Sequence, residues 1–322
     1  MTEFKLGSTG PEVTKIQRRL KALGLYKGIL DESFGGGTEA GVKAFQKQEG
    51  LPETGLVDES TFKRLFREDA EMPERPAITK KSLQTRCLAL TGTFETSTPV
   101  PGCFSCVTGD FDGQGISFGA LQLNFGQGSL QPLLQDMLND HREVMEFAFH
   151  SNLPTLEQAL AGGKAATMTF ARSIQDPIRK RVEEPWLGMF KTLGRTDECQ
   201  ALQTERAEAL HLEARRLAQK FKLGSERAVA LMFDIKVQNG SISDGVAGRI
   251  RQGYERLSPN LSDEEMEVER MRIVANRRAE AAKQRFVEDV RKRKLCIANG
   301  RGVVHGITVD LEEQFGIGLV PV

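Results

Sequence analysis

Residues 83–117, LQTRCLALTGTFETSTPVPGCFSCVTGDFDGQGIS, decide the fold of the longer part of the chain. Apolar residues recur on one face at helical spacing, at Leu83, Cys87, Leu90 and Phe94. This spacing predicts a helix that buries one side and ends near Glu95. The following residues, 96–130, contain many glycines and few helix formers, a composition typical of loops and of a short, twisted β-hairpin. An apolar helix therefore leads into a glycine-rich turn region.

The remainder of this region is predicted to be mostly helical. Amphipathic stretches cover residues 131–150 and 200–221, and ERAVALMFDIKVQ, residues 226–238, is apolar enough to form a buried central helix. Ser262 and Glu265 form a capping box that opens the last long helix. The fold class is therefore predicted to be mainly α, with an α+β region that contains a small β-hairpin.

A basic segment follows in residues 269–294, which hold ten basic and four acidic residues. Such a segment could contact an anionic polymer or an outer membrane. Its charges are, however, interleaved with an apolar stripe, as in a helix that turns its charged side to water. We therefore interpret the segment as a solvated helix face.

The first 68 residues are predicted to form a separate unit in which one helical pattern occurs twice. Two helical stripes, each ending at a glycine, surround the turn DESFGGGT at residues 31–38, and a third short helix is predicted around Phe62. A three-helix unit of this size has little room for a catalytic cleft. Residues 69–80, EDAEMPERPAIT, are charged and contain prolines, which is typical of a linker. We predict domains at 1–68 and 81–322.

Composition excludes several function classes. The chain has 322 residues with 44 basic and 44 acidic side chains, so no net charge steers it to nucleic acid or to an anionic membrane. Its start resembles no secretory signal, which predicts synthesis in the cytoplasm and a separate delivery factor. The five cysteines and four histidines offer no matching zinc set, although Cys103 and Cys106 form a CxxC that could close a local disulfide. We expect no cofactor, no metal and a monomer.

The N-terminal unit resembles the small peptidoglycan-binding domain of many wall hydrolases. The resemblance rests on the pattern DGxFGxxTxxAVxxFQxxxGL, matched here at Asp31, Phe34, Gly35, Thr38, Val42, Phe45, Gln46, Gly50 and Leu51. Glu32 departs from it, because glycine is usual there. The resemblance implies binding to peptidoglycan, with Asp31 and Thr38 as candidates for ligand contact. The other matched residues have an equally good explanation as the turn and core of a three-helix bundle.

Hydrolysis of a glycosidic bond requires one carboxylic acid to protonate the leaving oxygen and usually a second carboxylate that attacks or activates water. Glu95 is expected at the end of an apolar helix, where partial burial and the negative helix terminus both disfavour its charged form, as a general acid requires. Asp112 lies in the glycine-flanked turn GDFDGQGIS, where solvent and backbone donors would keep it ionised as a base. Ser117 offers a hydroxyl for the attacking water. Asp110 is an alternative base.

From Glu95 to Ser129 the chain resembles the family-46 chitosanases, which are relatives of phage-type lysozymes. In them a glutamate precedes the motif DGxGxT; here Glu95 stands seventeen residues before Asp112, and Ser117 replaces the threonine. The resemblance implies an inverting mechanism with Glu95 as acid, Asp112 as base and Ser117 as water-positioning residue. Ser129 occupies the position where chitosanases carry an aspartate that engages the amino sugar. This departure favours N-acetylated peptidoglycan over chitosan.

The same region also resembles goose-type lysozymes and lytic transglycosylases, through SFGALQ at residues 117–122. That resemblance implies a single catalytic glutamate, with Gln122 and Asn124 lining the cleft. Asp234 and Asn239 fall where chitosanase-like enzymes carry a buried aspartate in a charge network near the acid, and Arg277 or Arg278 is the expected partner. The alternative for a lone acid in an apolar helix is a purely structural role as one partner of a buried ion pair.

Together these resemblances predict a modular phage endolysin with a lysozyme-like glycoside hydrolase domain. The leading hypothesis is a bacteriolytic muramidase that cuts between N-acetylmuramic acid and N-acetylglucosamine in periplasmic peptidoglycan, after release by a holin or another delivery factor. A lytic transglycosylase and a chitosanase are alternatives within enzymes. A wall-binding protein without activity is the alternative outside them, and a delivered antibacterial effector would have the same sequence features.

Overall fold

The computed structural model describes residues 3–6, 8, 11–31, 34–67, 70–72 and 76–322. The chain is mainly α-helical with one small three-stranded antiparallel sheet and one two-stranded sheet, which confirms the predicted fold class. Across these described ranges, no helix combines the length and the apolar character needed to cross a membrane.

The N-terminal module contains the three predicted helices, α1 (Pro11–Ala22), α2 (Gly36–Gln48) and α3 (Glu59–Phe66). They enclose a small apolar core of their own. Two side-chain amides crosslink the module. Gln17 of α1 donates to Asp31 and Thr38. Gln46 of α2 donates to Thr61 and to the carbonyl of Leu56. The family-pattern glutamine Gln46 is thus a structural residue of the module.

The larger part of the chain contains thirteen further α-helices within the described residues. Their bounds are α4 (Leu83–Thr96), α5 (Leu130–Asp140), α6 (Arg142–Phe149), α7 (Leu153–Ala161), α8 (Gly163–Ser173), α9 (Trp186–Gly194), α10 (Asp197–Arg206), α11 (Glu208–Lys220), α12 (Glu226–Asn239), α13 (Asp244–Tyr254), α14 (Asp263–Glu280), α15 (Val287–Asn299) and α16 (Leu311–Phe315). They surround two apolar cores. The first core joins α4, α12, α14 and α15, and the second joins α5 to α9.

Helix α12 is the predicted buried central helix. Its residues 228–235 are all buried, including the carboxylate of Asp234, and Ser225 caps its first turn. The capping box of Ser262 and Glu265 opens α14 as predicted. The basic segment is not one helix but two, because α14 ends at Glu280 and α15 begins at Val287.

The solvated-face interpretation of that segment is wrong for two of its cations. Arg293 and Lys294 of α15 are buried to 1% and 0% exposure, respectively, in the first core. Several of the others form exposed pairs on their own helix, such as Arg277 with Glu280. The segment therefore combines an ordinary charged surface with two charges that the fold encloses.

A small sheet lies between the two cores. Its strands β1 (Val107–Thr108), β2 (Ser117–Phe118) and β3 (Leu123–Asn124) run antiparallel in that order. The sequence predicted one hairpin here, and the structure adds a third strand. A second hairpin, β4 (Arg301–Val304) with β5 (Ile307–Asp310), was not predicted.

The predicted linker lies partly outside the described residues, at 69 and 73–75. Within it, Ala77–Lys80 forms a short 3-10 helix whose Ile78 packs into the first core of the larger part. The proposed boundary stays a prediction, since its central residues are among those not described.

Candidate active site

Glu95 lies at the end of a helix whose other residues are almost all enclosed. Ser82 caps the first turn of α4, and residues 86–94 are buried in the first core. The helix stops at Thr96, because Ser97 adopts a left-handed conformation with φ of 51°. The Glu95 side chain, which is 28% exposed, therefore stands at the surface end of a rigid element.

Arg293 holds the Glu95 carboxylate. Its Nη2 lies 2.7 Å from Glu95 Oε1 and 2.6 Å from Asp234 Oδ1, so one guanidinium joins the exposed acid to the buried one. Its Nε is 2.9 Å and 3.0 Å from the two Asp234 oxygens. A planar guanidinium with several bonds has little freedom to turn. Arg293 thus positions Glu95, a role that sequence reasoning missed.

Asp234 is the centre of a buried charge cluster. It contacts Lys294 as well as Arg293, and the hydroxyl of Thr91 donates to it at 3.1 Å. Burial by itself would raise the pKa of Asp234, but the charges of Arg293 and Lys294 outweigh it and lower that pKa to about 2. The expected network exists, but the prediction of Arg277 or Arg278 as partner is wrong. Arg277 pairs with Glu280 instead.

The cluster continues through polar side chains back to the helix of Glu95. Lys294 Nζ donates to Gln238 Oε1 at 2.7 Å, and Gln238 Nε2 lies 3.5 Å from Asp289 Oδ2. His305, in the turn between β4 and β5, contacts Asp289 Oδ1 at 2.7 Å and the backbone carbonyl of Phe94 at 3.1 Å. The unpredicted hairpin therefore packs against the residue that precedes Glu95.

The structure separates the two candidate bases. Asp110 is buried, and its Oδ1 accepts the backbone N–H of Gly115 at 2.9 Å, which fixes the turn. Asp112 is exposed, and the one hydrogen bond found for its side chain among the described residues is with the N–H of Gln114 at 3.1 Å. Asp112 therefore has a carboxylate that solvent and substrate can reach.

The sheet segment that follows this turn packs against the helix of Glu95. A β-carbon added at Gly92 of α4 would come within 2.7 Å of the Ala120 side chain, so only glycine permits this close approach of helix and sheet. Ser117 pairs with Thr108 on one side and with Asn124 on the other. The Ser117 hydroxyl thus lies on the strand that follows the Asp112 turn.

Three of the predicted substrate-binding side chains have structural partners. Gln122 accepts a hydrogen bond from the Thr108 hydroxyl and donates to the Gly119 carbonyl. Asn124 is 6% exposed and accepts the N–H of Gln127. Asp234, the third, is fully buried and contacts Arg293, which in turn contacts Glu95.

Asn239, the fourth, ends α12 at a half-buried position. Its Oδ1 is buried, and no hydrogen-bond partner for it occurs among the described residues. Ser129 replaces the expected aspartate, and its hydroxyl accepts the N–H of Asn124 at 2.9 Å. In the N-terminal module Thr38 is buried and bonded to Gln17, whereas Asp31 is exposed. Both residues accept a hydrogen bond from Gln17, and Asp31 is the more exposed of the two.

The cysteines of the site region are all free thiols. Cys103 is buried, and burial raises its pKa to about 12; burial also raises the pKa of the half-buried Cys106. Elevated thiol pKa values disfavour nucleophilic and metal-binding roles, which need the thiolate. In the part of the chain that the structure describes, no group of three or more candidate metal ligands occurs.

Comparison with known proteins identifies the N-terminal module. A family model described as "Putative peptidoglycan binding domain" matches residues 9–65, which confirms the predicted resemblance. "Putative OxPP cycle protein OpcA" of Synechococcus elongatus is 38% identical over 78 residues, 24% of this chain and 18% of that protein. A spore cortex-lytic enzyme of Bacillus cereus is 39% identical over 61 residues, 19% of this chain and 24% of that enzyme. The chain thus spans about a fifth of the length of these curated relatives.

Two solved structures are similar over most of the chain. One, titled "Chitosanase complex structure", is 14% identical with a TM-score of 0.43, and the alignment covers 70% of this chain and 95% of that one. The other, the native chitosanase of Bacillus subtilis MY002, is 17% identical with a TM-score of 0.41, covering 72% of this chain and 96% of that one.

Proposed function

We propose that the chain is a glycoside hydrolase of the bacterial cell wall, a muramidase that cuts peptidoglycan glycan strands. The observation that carries the proposal is the site itself: Glu95 ends a rigid buried helix, Arg293 fixes its carboxylate, and the exposed Asp112 lies on a turn whose strand neighbours that helix. Two carboxylates on different elements are what acid and base catalysis of glycoside cleavage requires.

Each residue has a defined part in the proposed reaction. Glu95 gives its proton to the glycosidic oxygen as the bond from that oxygen to the anomeric carbon breaks. Asp112 takes a proton from a water held near Ser117, and the resulting hydroxyl adds to the anomeric carbon from the opposite face. The leaving group then carries the proton from Glu95, Asp112 holds the proton from water, and the configuration at the anomeric carbon is inverted. Arg293 acts through its contact with Glu95 and is a positioning residue.

The choice of polymer rests on the N-terminal module. Its match to the peptidoglycan-binding family model supports a wall target, and the similarity to a spore cortex-lytic enzyme supports the same target. Ser129, in place of an acid, supports an N-acetylated glycan. Release by a holin and action in the periplasm, as a phage endolysin, remain predictions of the sequence.

The decisive test is product analysis on purified sacculi. We expect new reducing ends on N-acetylmuramic acid, and no such release from chitosan. Release of 1,6-anhydro sugars would replace the muramidase with a lytic transglycosylase, and strong activity on chitosan alone would replace the polymer. Protein that binds sacculi without releasing soluble fragments would contradict any enzymatic role.

The two aspartates of the turn give a matched pair of variants. We expect Asp112→Asn to lower kcat by about 10² to 10⁴, the contribution of a positioned acid or base. Asp110→Asn keeps an oxygen that accepts the Gly115 N–H, so it should retain most of the activity. Initial rates of reducing-end release measure both. The reverse pattern would assign the base to Asp110.

A further inference from the structure

A second pocket adjoins the candidate active site. Its volume is about 520 Å³, and Thr98, Cys106, Thr108 and Phe111 form the wall nearest the catalytic elements. Thr98 follows the helix of Glu95, and Phe111 stands between Asp110 and Asp112 in sequence. Neither Glu95 nor Asp112 lines this pocket. The pocket is therefore distinct from the two catalytic side chains, but residues close to both of them in sequence line it.

Another part of the lining of this pocket is basic. It carries four cationic side chains and no acidic one, namely Lys180, Arg181, Lys191 and Arg195. Within the ranges that the structure describes, none of the four has a carboxylate oxygen within 4.0 Å. Asp176, whose charge interacts with Lys180, lies in the turn before it and uses its Oδ1 to accept the N–H groups of Ile178 and Arg179.

Two of these cations are placed by one helix. Lys191 lies in the last turn of α9 and Arg195 is its C-cap, so both project from the same face, four residues apart. Lys191 lines the same pocket as Cys106, and its charge opposes the rise that burial causes in the pKa of the Cys106 thiol. Both side chains are exposed and open to a ligand.

A group of cations without carboxylate partners beside a glycan cleft is suited to an anionic ligand. Lysine and arginine bind carboxylates through charge-assisted hydrogen bonds. The charged groups of chitosan are ammonium groups, which these cations repel. The peptides attached to N-acetylmuramic acid instead carry free carboxylates. Phe111 is 69% exposed and provides apolar surface for the neutral part of such a peptide.

We infer that this basic pocket binds the carboxylates of the peptide stem of peptidoglycan while the glycan lies across Glu95 and Asp112. The inference rests on the proposed function and deepens it, because it makes a peptide-bearing glycan the substrate. Polymer choice then depends on charge next to the cleft as well as on the N-terminal module.

Direct binding tests the inference independently of catalysis. The probe is the N-acetylated stem tripeptide, L-alanyl-γ-D-glutamyl-diaminopimelic acid, titrated calorimetrically into the full-length chain. We expect the double variant Lys191→Gln, Arg195→Gln to weaken binding by about tenfold, the loss of two charged contacts. Added salt should weaken tripeptide binding to the unmodified protein and so reduce the difference in affinity between it and the double variant.

A matched control pair lies on another helix. Arg216 and Lys220 of α11 are also exposed and four residues apart, and neither lines the pocket. Changing both to Gln should leave tripeptide affinity unchanged, and any binding by the N-terminal module is common to all three proteins. Equal affinity in the two double variants, or no measurable binding by the unmodified chain, would overturn the inference.

Hydrolysis separates this inference from the function on which it rests. On intact sacculi the Lys191, Arg195 variant should lose kcat/KM by about tenfold relative to the Arg216, Lys220 variant. On glycan strands stripped of peptides by an amidase, the two variants should be equal. If the unmodified chain cuts neither substrate, the proposed function fails, and the tripeptide titration still decides whether the pocket binds the stem.

Discussion

Replacing Glu95 with Gln should remove nearly all hydrolysis and leave the protein folded. The amide keeps the shape of the side chain and an oxygen for Arg293, but it has no proton to give to the glycosidic oxygen. We expect kcat on sacculi to fall by about 10³ or more, within the range for loss of a general acid. Reducing-end release at substrate saturation measures kcat, and sedimentation with sacculi measures wall binding, which should not change.

Glu280 provides the control for this change. It also ends a helix, α14, and also pairs with an arginine, Arg277, at 2.9 Å. Glu280→Gln should retain full activity, since the effect of Glu95 depends on its site and not on a helix-end ion pair. If Glu95→Gln kept more than half of the activity, or if both variants lost it equally, Glu95 would not be the acid.

Local sequence patterns predicted most of the helical framework. The apolar spacing of α4, the buried run of α12 and the capping box of Ser262 and Glu265 all involve neighbours within one or two helical turns. Such patterns specify a helix and its buried side directly. They also located Glu95 at the end of α4, which is why the candidate acid could be named without coordinates.

Contacts between distant segments were beyond these patterns. Arg293 meets Asp234 across 59 residues, and no local rule selects that pair. A signal was nevertheless present, because Val290, Arg293 and Ile297 share one helix face and both flanking residues are buried. A cation between two core positions needs an acid in the core. Asp234 is the one acidic residue in the run of α12 that is buried.

The turn that carries the base shows a second limit. Asp110 and Asp112 are equally plausible from GDFDGQGIS, because both are flanked by glycine or follow it closely. Which carboxylate turns inward depends on the backbone path, and that path brings the Gly115 N–H to Asp110. Only the folded turn distinguishes a side chain that holds the loop from one that faces solvent.

Replacing Asp234 with Asn should cause the largest loss of stability of any single charge removal proposed for this chain. Among the described residues, the change removes the one carboxylate paired with Lys294 and leaves Arg293 with only the partly exposed Glu95. Breaking a buried pair in this way costs about 3–5 kcal/mol. Urea unfolding at pH 7 measures the loss, followed by far-UV circular dichroism and by the fluorescence of Trp186, the one tryptophan in the chain.

The same variant carries its own pH signature. Because the pKa of Asp234 falls from 3.8 to about 2 on folding, its charge stabilises the native state fully above pH 3.8 and is lost as the pH falls toward 2. The difference in unfolding free energy between the two proteins should therefore shrink as the pH falls below 3.8 toward 2. Glu157→Gln, which breaks an exposed pair with Arg142, should cost less than about 1 kcal/mol at any pH. If Asp234→Asn lowered the unfolding free energy no more than Glu157→Gln does, the cluster would not stabilise the core around Arg293. The same conclusion would follow if the difference between Asp234→Asn and the unmodified protein did not decrease in acid.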